Sequence, residues 1–324
     1  MNQLFESLVY DPTLNLAIEE ALLLRGTTVP SLFLWQNAHT VVIGCSQNAW
    51  KECRTALLTQ EGGRLVRRST GGGAVYHDLG NLNFSFVMPK SVYDVQRQLS
   101  VIRSAVAAFG IETVSSGRND IVLKQSGAKF SGNAFRITQD AGLHHGTILM
   151  DVDMAKLGRY LAPSPEKLKA KGVESVRARV GNLKDYAPGL TIDLLKEAVR
   201  SAFIAQYGQS ESLAWEDALN LSQVDALREK YLSWDWTYGR TPRFDITLST
   251  RFVWGQVELL LSLKDGRISD AQCYTDAMDA ELSSRVCRSL SGCVFKPSAL
   301  AGCFIDSTIP EEQELSGWLA AQEL

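Results

Sequence analysis

The chain has 324 residues, 45% of them hydrophobic and 21% charged, and it carries a formal net charge of −3. This balance is ordinary for a globular protein, argues against a nucleic-acid binder, and includes no apolar run approaching the ~20 residues of a membrane helix. The length exceeds the usual size of one hydrophobic core, so we expect two domains, and the N-terminal residues lack the pattern of a secretory signal, so we expect a cytoplasmic protein.

The first part of the chain mixes helix and strand patterns. Asp11 and the proline after it begin a predicted helix, which continues through apolar residues at helical spacing and stops at Gly26. Residues 31–35 and 40–44 have the character of two strands that turn at 37–39. Further predicted strands are 65–69, 74–76 and 81–87.

A core-facing helix follows, because apolar residues recur at helical spacing from Val92 to Phe109. Beyond it, Ser164 resembles a helix start and 191–207 has the pattern of a helix. Because strands and helices mix without a regular βαβ order, the sequence predicts an α+β domain with a mixed sheet. The predicted strands of this part are 121–124, 128–136 and 146–152.

The aromatic-rich segment 234–239 marks the predicted end of the first domain, which we place over 1–240. A smaller α+β domain is expected over 241–324, where Lys264-Asp265-Gly266 has the composition of a hairpin turn. Its predicted strands are 252–263 and 268–274, and its predicted helices are 280–290 and 311–319.

Three consecutive glycines, Gly71 to Gly73, lie between two of the predicted strands. Three glycines in a strand lose much backbone entropy on folding and pack no side chains. We therefore expect a ligand or another backbone to come close to the backbone of 71–73. Bare amides form a concave anion site and the adjacent Arg67 and Arg68 suit phosphate oxygens, although a flexible turn with two solvated arginines is the alternative. The spacing fits neither a P-loop nor a dinucleotide fingerprint.

With its flanks, the stretch RRSTGGGAVYHDLGN over 67–81 resembles the signature of lipoate-protein ligase A, in the superfamily that also contains biotin ligases and octanoyl transferases. The resemblance implies a mixed-sheet α+β catalytic domain of the biotin/lipoyl-ligase type with a smaller C-terminal domain. Further matching segments are NLAIEEALL, FLWQNAHTVVIGCSQNAWKEC, SGRNDIV, KFSGNAFR, HHGTILM, KGVESVRARVGNL and RFVWGQVELLL.

The function that this resemblance implies is the activation of lipoate, or octanoate, by ATP with Mg²⁺. The acyl-adenylate then passes its acyl group to a lysine of lipoyl domains, in the E2 subunits of 2-oxoacid dehydrogenase complexes and in the glycine cleavage H protein. The implied adenylating domain is 1–240, and we expect a monomer.

The nucleotide site implied by the resemblance begins at Arg68. Strand side chains alternate between faces, so Arg67 and Arg68 cannot both point into one pocket, and the family pattern favours Arg68 as the ATP contact. The backbone groups that would line the nucleotide belong to Gly73, Ala74, Val75 and Tyr76.

Lys129 is the implied catalytic residue, and it is expected to bind both ATP and lipoate. A lysine is a compact cation that suits a position between the α-phosphate and the acyl carbonyl. Taken alone it is more often a solvated strand lysine, and the match of KFSGNAF to the family's lysine motif reverses that preference. Lys124, beside a turn, is the local rival and is expected to be exposed.

Two further ligand contacts are expected from histidines. His77 begins a turn, where it either contacts phosphate or caps the loop, and we also assign it to lipoate binding. His144 and His145 precede a predicted strand and point to opposite faces, which makes a zinc site a poor interpretation. We expect His145 to border the acyl pocket and His144 to lie at the surface.

Asp120 is the candidate Mg²⁺ ligand, because a hard cation prefers carboxylate and phosphate oxygens; an Asx turn is the alternative. The acyl tail needs an apolar slot. Candidates for its lining are Phe33, Trp35, Val42 and Phe84.

Six cysteines are scattered without a CxxC motif, so the sequence indicates neither zinc nor a disulfide framework. They matter for the main alternative, an octanoyl transferase, which uses a cysteine thioester. Cys45 is the only cysteine near the predicted pocket, and we expect the reaction not to need it. A non-catalytic lipoyl-domain binding protein is the other alternative, and the presence of both Arg68 and Lys129 argues against it.

Overall fold

The computed structural model describes residues 1–117, 120–161, 180–238, 246–264 and 266–322, apart from the side chains of residues 50 and 51. Its internal contacts divide the chain into two units. The first unit comprises Met1–Ile43, Ala49–Ser69 and Ala74–Thr237, and the second comprises Gly44–Asn48, Thr70–Gly73 and Tyr238–Leu324. The helix start predicted at Ser164 lies outside the described residues.

The first unit is built on a mixed β-sheet with the order β11-β1-β2-β6-β10-β9-β8-β7, beside a smaller sheet with the order β4-β3-β5. In the large sheet β1 runs parallel to β2 and β11, and β6, β10 and β9 are antiparallel neighbours. The strands are β1 (Asn2–Glu6), β2 (Ser31–Trp35), β3 (Thr40–Ile43), β4 (Arg64–Arg67), β5 (Val75–His77), β6 (Asn81–Pro89), β7 (Thr113–Ser116), β8 (Asp120–Leu123), β9 (Lys129–Ile137), β10 (Ala141–Leu149) and β11 (Ser210–Ser212).

The first helix begins and ends where its sequence predicts. The carboxylate of Asp11 accepts a hydrogen bond from Thr13 N, 2.9 Å away, and Gly26 follows the helix in the left-handed region with a φ of 72°. Short 3-10 turns lie at Lys90–Val92 and Leu183–Asp185. The helices of the first unit are α1 (Pro12–Leu24), α2 (Ala49–Glu52), α3 (Thr55–Gln60), α4 (Val95–Ala107), α5 (Met154–Tyr160), α6 (Ile192–Tyr207), α7 (Trp215–Ala218), α8 (Leu221–Leu232) and α9 (Trp234–Thr237).

Alternation along β6 gives the large sheet two hydrophobic faces. On one face Phe84 packs with residues of α4 and α6, and on the other Val87 packs with Phe33 and residues of α1. The four candidates for the acyl slot are therefore split, because Phe84 lies on the opposite face from Phe33, Trp35 and Val42. The expectation that Phe84 lines the same slot is wrong.

The predicted turn between β2 and β3 does not make a hairpin. Strand β2 pairs with β1 and β6 in the large sheet, whereas β3 pairs with β4 and β5 in the small sheet. The start of the strand predicted over 146–152 is also wrong, because β10 begins at Ala141. As a consequence both adjacent histidines lie inside this strand, and His144 is fully buried rather than at the surface.

The second unit has a three-stranded antiparallel sheet with the order β12-β13-β14 and its own hydrophobic core. The predicted long strand 252–263 is broken, because the chain turns after Phe252 and returns from Gly255. Its elements are β12 (Ile246–Phe252), β13 (Gly255–Lys264), β14 (Arg267–Thr275), α10 (Leu282–Leu290), α11 (Pro297–Gly302) and α12 (Pro310–Ala320).

Two of the cysteines are brought together in this unit, although the sequence indicates no disulfide framework. The sulfur atoms of Cys293 and Cys303 lie next to each other, with their Cα atoms 7.7 Å apart. Among the described parts of the chain, no helix has both the length and the apolar character needed to cross a bilayer.

Candidate active site

The two arginines before the glycine triplet have different environments, as strand alternation requires. Arg67 is buried, and its guanidinium donates to the carbonyl oxygens of Trp236 (2.9 Å) and Thr237 (2.7 Å). The indole Nε1 of Trp236 in turn donates to Arg67 O at 2.8 Å. Arg68 is also buried, and its Nη1 donates to Val42 O at 3.3 Å. Arg67 therefore holds the end of α9 in place, which leaves Arg68 as the candidate ligand contact.

His77 lies in the same neighbourhood at the end of β5. Its ring is buried, and Nδ1 is 3.2 Å from Asn37 Nδ2. Burial, the charge of Arg68 and the neighbouring His145 together lower the pKa of His77 to about 3. The imidazole is therefore neutral near pH 7. The structure thus places two other predicted site residues, Arg68 and His145, within electrostatic range of His77.

His145 is fixed by a buried carboxylate that the sequence analysis missed. Nδ1 of His145 donates to Glu19 Oε1 at 2.8 Å, and both side chains are almost fully buried. The same oxygen accepts a hydrogen bond from Ser85, whose hydroxyl accepts from Trp35 Nε1 at 2.9 Å. A Glu on the buried side of an apolar helix was the available signal for this residue, because such a side chain needs a polar partner.

His144 points to the opposite face of β10 and does not belong to the candidate site. Its ring hydrogen-bonds to the side-chain amides of Gln98 and Asn133, each at 2.9 Å. Burial, with a smaller contribution from His145, lowers the pKa of His144 to about 3. A neutral ring has one N–H, so one amide must present its oxygen to the ring and the other its NH2 group. A neutral histidine held in this way in the core is a structural residue.

Lys129, the predicted catalytic residue, begins β9. Its Nζ is 2.7 Å from Asp120 Oδ1, and both side chains are about one-third exposed, at 31% and 35%. A Cβ at Gly132 would lie only 2.7 Å from Lys129 Nζ, so the glycine makes room for the ammonium. The rival Lys124 has a 61% exposed side chain paired with Glu112, as expected for a surface lysine.

The ammonium of Lys129 and the ring of His145 lie on the same face of the large sheet. A Cβ on Gly132 would lie 2.7 Å from Lys129 Nζ and 4.0 Å from Thr147 Oγ1, so these two side chains occupy the same face, and Thr147 stands two residues after His145 in β10. Residues two apart in a strand share a face. This face therefore carries the cation of Lys129 together with His145, which also has His77 as a neighbour.

Asp120, the candidate Mg²⁺ ligand, forms an ion pair with Lys129. Its carboxylate contacts the ammonium of Lys129, and the described part of the chain contains no group of three or more His, Cys, Asp or Glu side chains placed to hold a metal. The described residues therefore do not by themselves form a Mg²⁺ site, and Mg²⁺ ligation by Asp120 stays a prediction.

The glycine triplet packs within the second unit. The amide of Gly72 donates to Ala277 O at 3.0 Å, so the expectation of bare amides throughout the triplet is wrong at this position. A Cβ on Gly71 would lie 2.5 Å from Ala277 O and 2.7 Å from Met278 O, which explains why glycine is needed there. By contrast, a Cβ on Gly73 would meet no described atom within 4 Å.

The remaining predicted nucleotide residues follow the triplet. Ala74 precedes β5, and Val75 and Tyr76 lie in β5, where they pair with β3. The ring of Tyr76 is buried between His39 and Tyr160, with centroid distances of 6.0 and 5.5 Å. Its side chain is thus part of the core, and any ligand contact of Tyr76 would come from its backbone.

Comparisons with known proteins agree on one family. The model of the lipoyl protein ligase A/B catalytic domain matches residues 11–204, and the model of the bacterial lipoate protein ligase C-terminus matches residues 241–315.

Solved structures resemble the chain over most of its length. Plasmodium falciparum LipL1, solved in complex with lipoate, superposes with a TM-score of 0.87 and 27% identity over 99% of this chain and 100% of that one. A bipartite lipoate protein ligase of Thermoplasma acidophilum, studied with its E2 lipoyl domain, gives a TM-score of 0.65 and 26% identity over 76% and 98%. A lipoate-protein ligase A bound with ATP gives 0.62 and 25% over 74% and 98%.

Proposed function

The chain belongs to the lipoyl protein ligase A/B catalytic-domain family and is a ligase enzyme, and from this premise we propose that it activates lipoate, or octanoate, with ATP to form acyl-AMP and pyrophosphate. It then transfers the acyl group to the acceptor lysine of a lipoyl domain. The observation that carries the proposal is the ammonium of Lys129 on the sheet face that also bears His145. The similar ligases solved in complex with lipoate and bound with ATP support the same reaction.

The activation step needs positive charge before the new bond forms. A carboxylate must approach the α-phosphorus of ATP, which is itself negatively charged, and fixed cations stabilise the additional charge of the transition state. Lys129 is the residue we assign to this task, at the position between the carboxylate and the α-phosphate. Its ion pair with Asp120 holds the ammonium in place in the ligand-free chain.

The nucleotide contacts that we propose are Arg68 and the backbone that follows it. A guanidinium binds phosphate oxygens in pairs. Because Arg67 donates to the carbonyl oxygen of Thr237, we assign the phosphate contact to Arg68. The residues whose backbone would face the nucleotide are Gly73, Ala74, Val75 and Tyr76. If Mg²⁺ accompanies ATP, the phosphates of ATP would supply most ligands of the metal ion, and Asp120 is the predicted protein ligand.

For the acyl substrate we propose polar contacts from Lys129, His77 and His145, with an apolar slot from the core that contains Phe33 and Trp35. The second step needs no nucleophile from this enzyme, because the acceptor lysine attacks the mixed anhydride and AMP leaves. Asp120 and the histidines would therefore act on substrate binding rather than by forming covalent intermediates.

We propose different functions for the two parts of the chain that the two family models match. Residues 1–240 would hold the adenylating activity and 241–324 would form an accessory domain. The partners would be lipoyl domains of 2-oxoacid dehydrogenase E2 subunits and of the glycine cleavage H protein, and the enzyme would act as a cytoplasmic monomer. A lipoyl domain is also the partner named for the Thermoplasma ligase.

Lipoate-dependent exchange of labelled pyrophosphate into ATP is the direct test. An adenylating enzyme exchanges label only when lipoate or octanoate is present, and transfer to an apo lipoyl domain then adds the mass of the acyl group to one lysine. A non-catalytic lipoyl-domain binder would show neither signal. An octanoyl transferase would modify the domain from an acyl carrier without ATP, and it would carry an acyl thioester.

A further inference from the structure

A chain of buried amide side chains leads to His77. Asn15 on α1 donates through Nδ2 to Gln36 O at 2.8 Å and to Asn37 Oδ1 at 3.0 Å. Asn37 then places Nδ2 3.2 Å from His77 Nδ1. Both asparagines are fully buried and the histidine is 3% exposed. Polar side chains buried this deeply in a row are maintained only if their hydrogen bonds serve fold or function.

The direction of each hydrogen bond in this series of buried side chains can be assigned. The backbone carbonyls of Val9 and Gln36 can only accept, so the atom of Asn15 that faces them must be Nδ2. The same Nδ2 faces Asn37, so Asn37 must present Oδ1 to it and Nδ2 to His77. A donor at 3.2 Å requires an acceptor at Nδ1 of His77. The proton of the neutral imidazole therefore lies on Nε2.

The Nε2–H group has no hydrogen-bond partner among the described residues, although it is buried. The charged and titratable groups that face the ring are Arg68 and His145, and both disfavour a second proton on it. An unsatisfied buried donor costs free energy comparable to a lost hydrogen bond. Such a donor is retained where a ligand supplies the acceptor.

We propose that Asn15 and Asn37 are positioning residues that lock His77 as the Nε2–H tautomer, so that this neutral donor binds a negatively charged oxygen of a bound substrate. This inference rests on the proposed function, in which the two available oxygens are those of the lipoate carboxylate and those of the ATP phosphates. A neutral donor orients such an oxygen without adding another positive charge beside Arg68.

The first test reads the tautomer directly in the wild-type protein. ¹⁵N-detected NMR of the imidazole nitrogens, with the signals of His77 identified from a His77→Gln variant, should show Nε2 protonated and Nδ1 unprotonated between about pH 5 and 8. A proton on Nδ1, or titration of His77 with an ordinary pKa, would overturn the assignment. Lipoate alone and ATP alone are then added in turn, and one of them should shift the Nε2 signal. No shift with either would overturn the donor role.

The second test is the pH profile of an Asn37→Asp variant. A carboxylate beside Nδ1 accepts rather than donates, so it draws the proton of the neutral ring to Nδ1. The variant should keep its activity at low pH, where the imidazolium has both protons, and lose about 10- to 100-fold in kcat/KM as pH rises through the new pKa of His77. A profile that parallels that of the wild type would contradict the proposal.

Asn182→Asp is the matched control. Asn182 is a buried asparagine that bridges the backbone of Val152, with both hydrogen bonds at 2.9 Å, and it lies outside the chain that leads to His77. The control should lower thermal stability while leaving the shape of the pH profile unchanged. Wild-type lipoate-dependent exchange separates the two hypotheses, since its absence removes the proposed function, whereas exchange with the wrong His77 tautomer removes only this inference.

Discussion

The ammonium of Lys129 lies 2.7 Å from the carboxylate of Asp120, over a glycine at position 132 that leaves room for it. This pair joins the start of β9 to the start of β8. In a ligand-free site it gives the cation one partner, and an incoming carboxylate or phosphate would compete with Asp120 for the same charge.

Replacing Lys129 by alanine should lower the rate of lipoate-dependent pyrophosphate exchange by roughly 10²- to 10³-fold, the scale for removing one electrostatic stabiliser. Lys129→Arg should recover little, because the larger guanidinium does not fit the space over Gly132. Lys124→Ala, at an exposed lysine five residues earlier, is the control and should retain full activity. Unchanged exchange in Lys129→Ala would remove this residue from the mechanism.

Asp120→Asn distinguishes a metal ligand from a partner of Lys129. If Asp120 only holds the ammonium, exchange should fall by less than about tenfold, in line with the value of a partly exposed ion pair, and the Mg²⁺ concentration for half-maximal activity should stay constant. If the carboxylate binds Mg²⁺ with ATP, that concentration should rise at least about tenfold. A Mg²⁺ titration of exchange activity in both proteins makes the comparison.

Alanine should affect stability at Gly71 and ATP binding at Gly73. Gly71→Ala places a Cβ against two backbone carbonyls, so it should lower the free energy of unfolding of the second unit by about 1–3 kcal/mol. Gly73→Ala meets no described atom, so it should leave unfolding unchanged yet raise the KM for ATP if the nucleotide occupies that space. Equal ATP dependence of Gly73→Ala and wild type would place the nucleotide elsewhere.

Cys45→Ser tests the transferase alternative. Cys45 is partly exposed, and its Sγ lies 3.5 Å from Ser46 Oγ and 3.7 Å from Ala280 O. Because the ligase reaction uses no enzyme nucleophile, the variant should keep most of its activity. Intact mass spectrometry of the wild-type protein after incubation with lipoate and ATP should show no covalent acyl adduct. An acyl thioester trapped on Cys45 would overturn the ligase mechanism.

Stability should fall as the solution is acidified, in part because of His144. Burial holds the pKa of His144 near 3 in the folded chain, against an ordinary value of 6.5. Between these values the unfolded chain binds more protons, so the free energy of unfolding decreases as pH falls through this window. His144→Gln should reduce the slope by up to about 1.4 kcal/mol per pH unit. Urea unfolding of the wild type and of His144→Gln at several pH values measures the pH dependence of the free energy of unfolding.

The sequence was informative wherever local pattern decides structure. Capping and periodicity predict the cap at Asp11, the stop at Gly26 and a helix over 92–109. The cap and the stop are confirmed, and the helix is present over the shorter range Val95–Ala107. Pairing between strands was harder. Strands β2 and β3 are adjacent in the chain but belong to different sheets, because β2 pairs with β1 and β6 through contacts that are distant in sequence. No short-range turn signal carries that information.

The candidate site shows the same limit. Strand alternation separated Arg67 from Arg68, but only the fold shows that Arg67 binds the end of α9. The sequence could not predict that Gly72 would donate to Ala277, because the two residues are about two hundred positions apart. Asn37 and Glu19 were also missed as site residues. The position of Glu19 on the buried side of an apolar helix indicates that it needs a polar partner, but no local pattern shows that the partner is His145.

The bond between Arg67 and the end of α9 decides where a shortened first unit would have to stop. A truncated chain that ends at Thr237 keeps the carbonyl oxygens that its buried guanidinium needs, whereas one that ends at Tyr231 removes these acceptors and the indole that binds Arg67 O. Only the longer version should be expressed as a well-folded fragment.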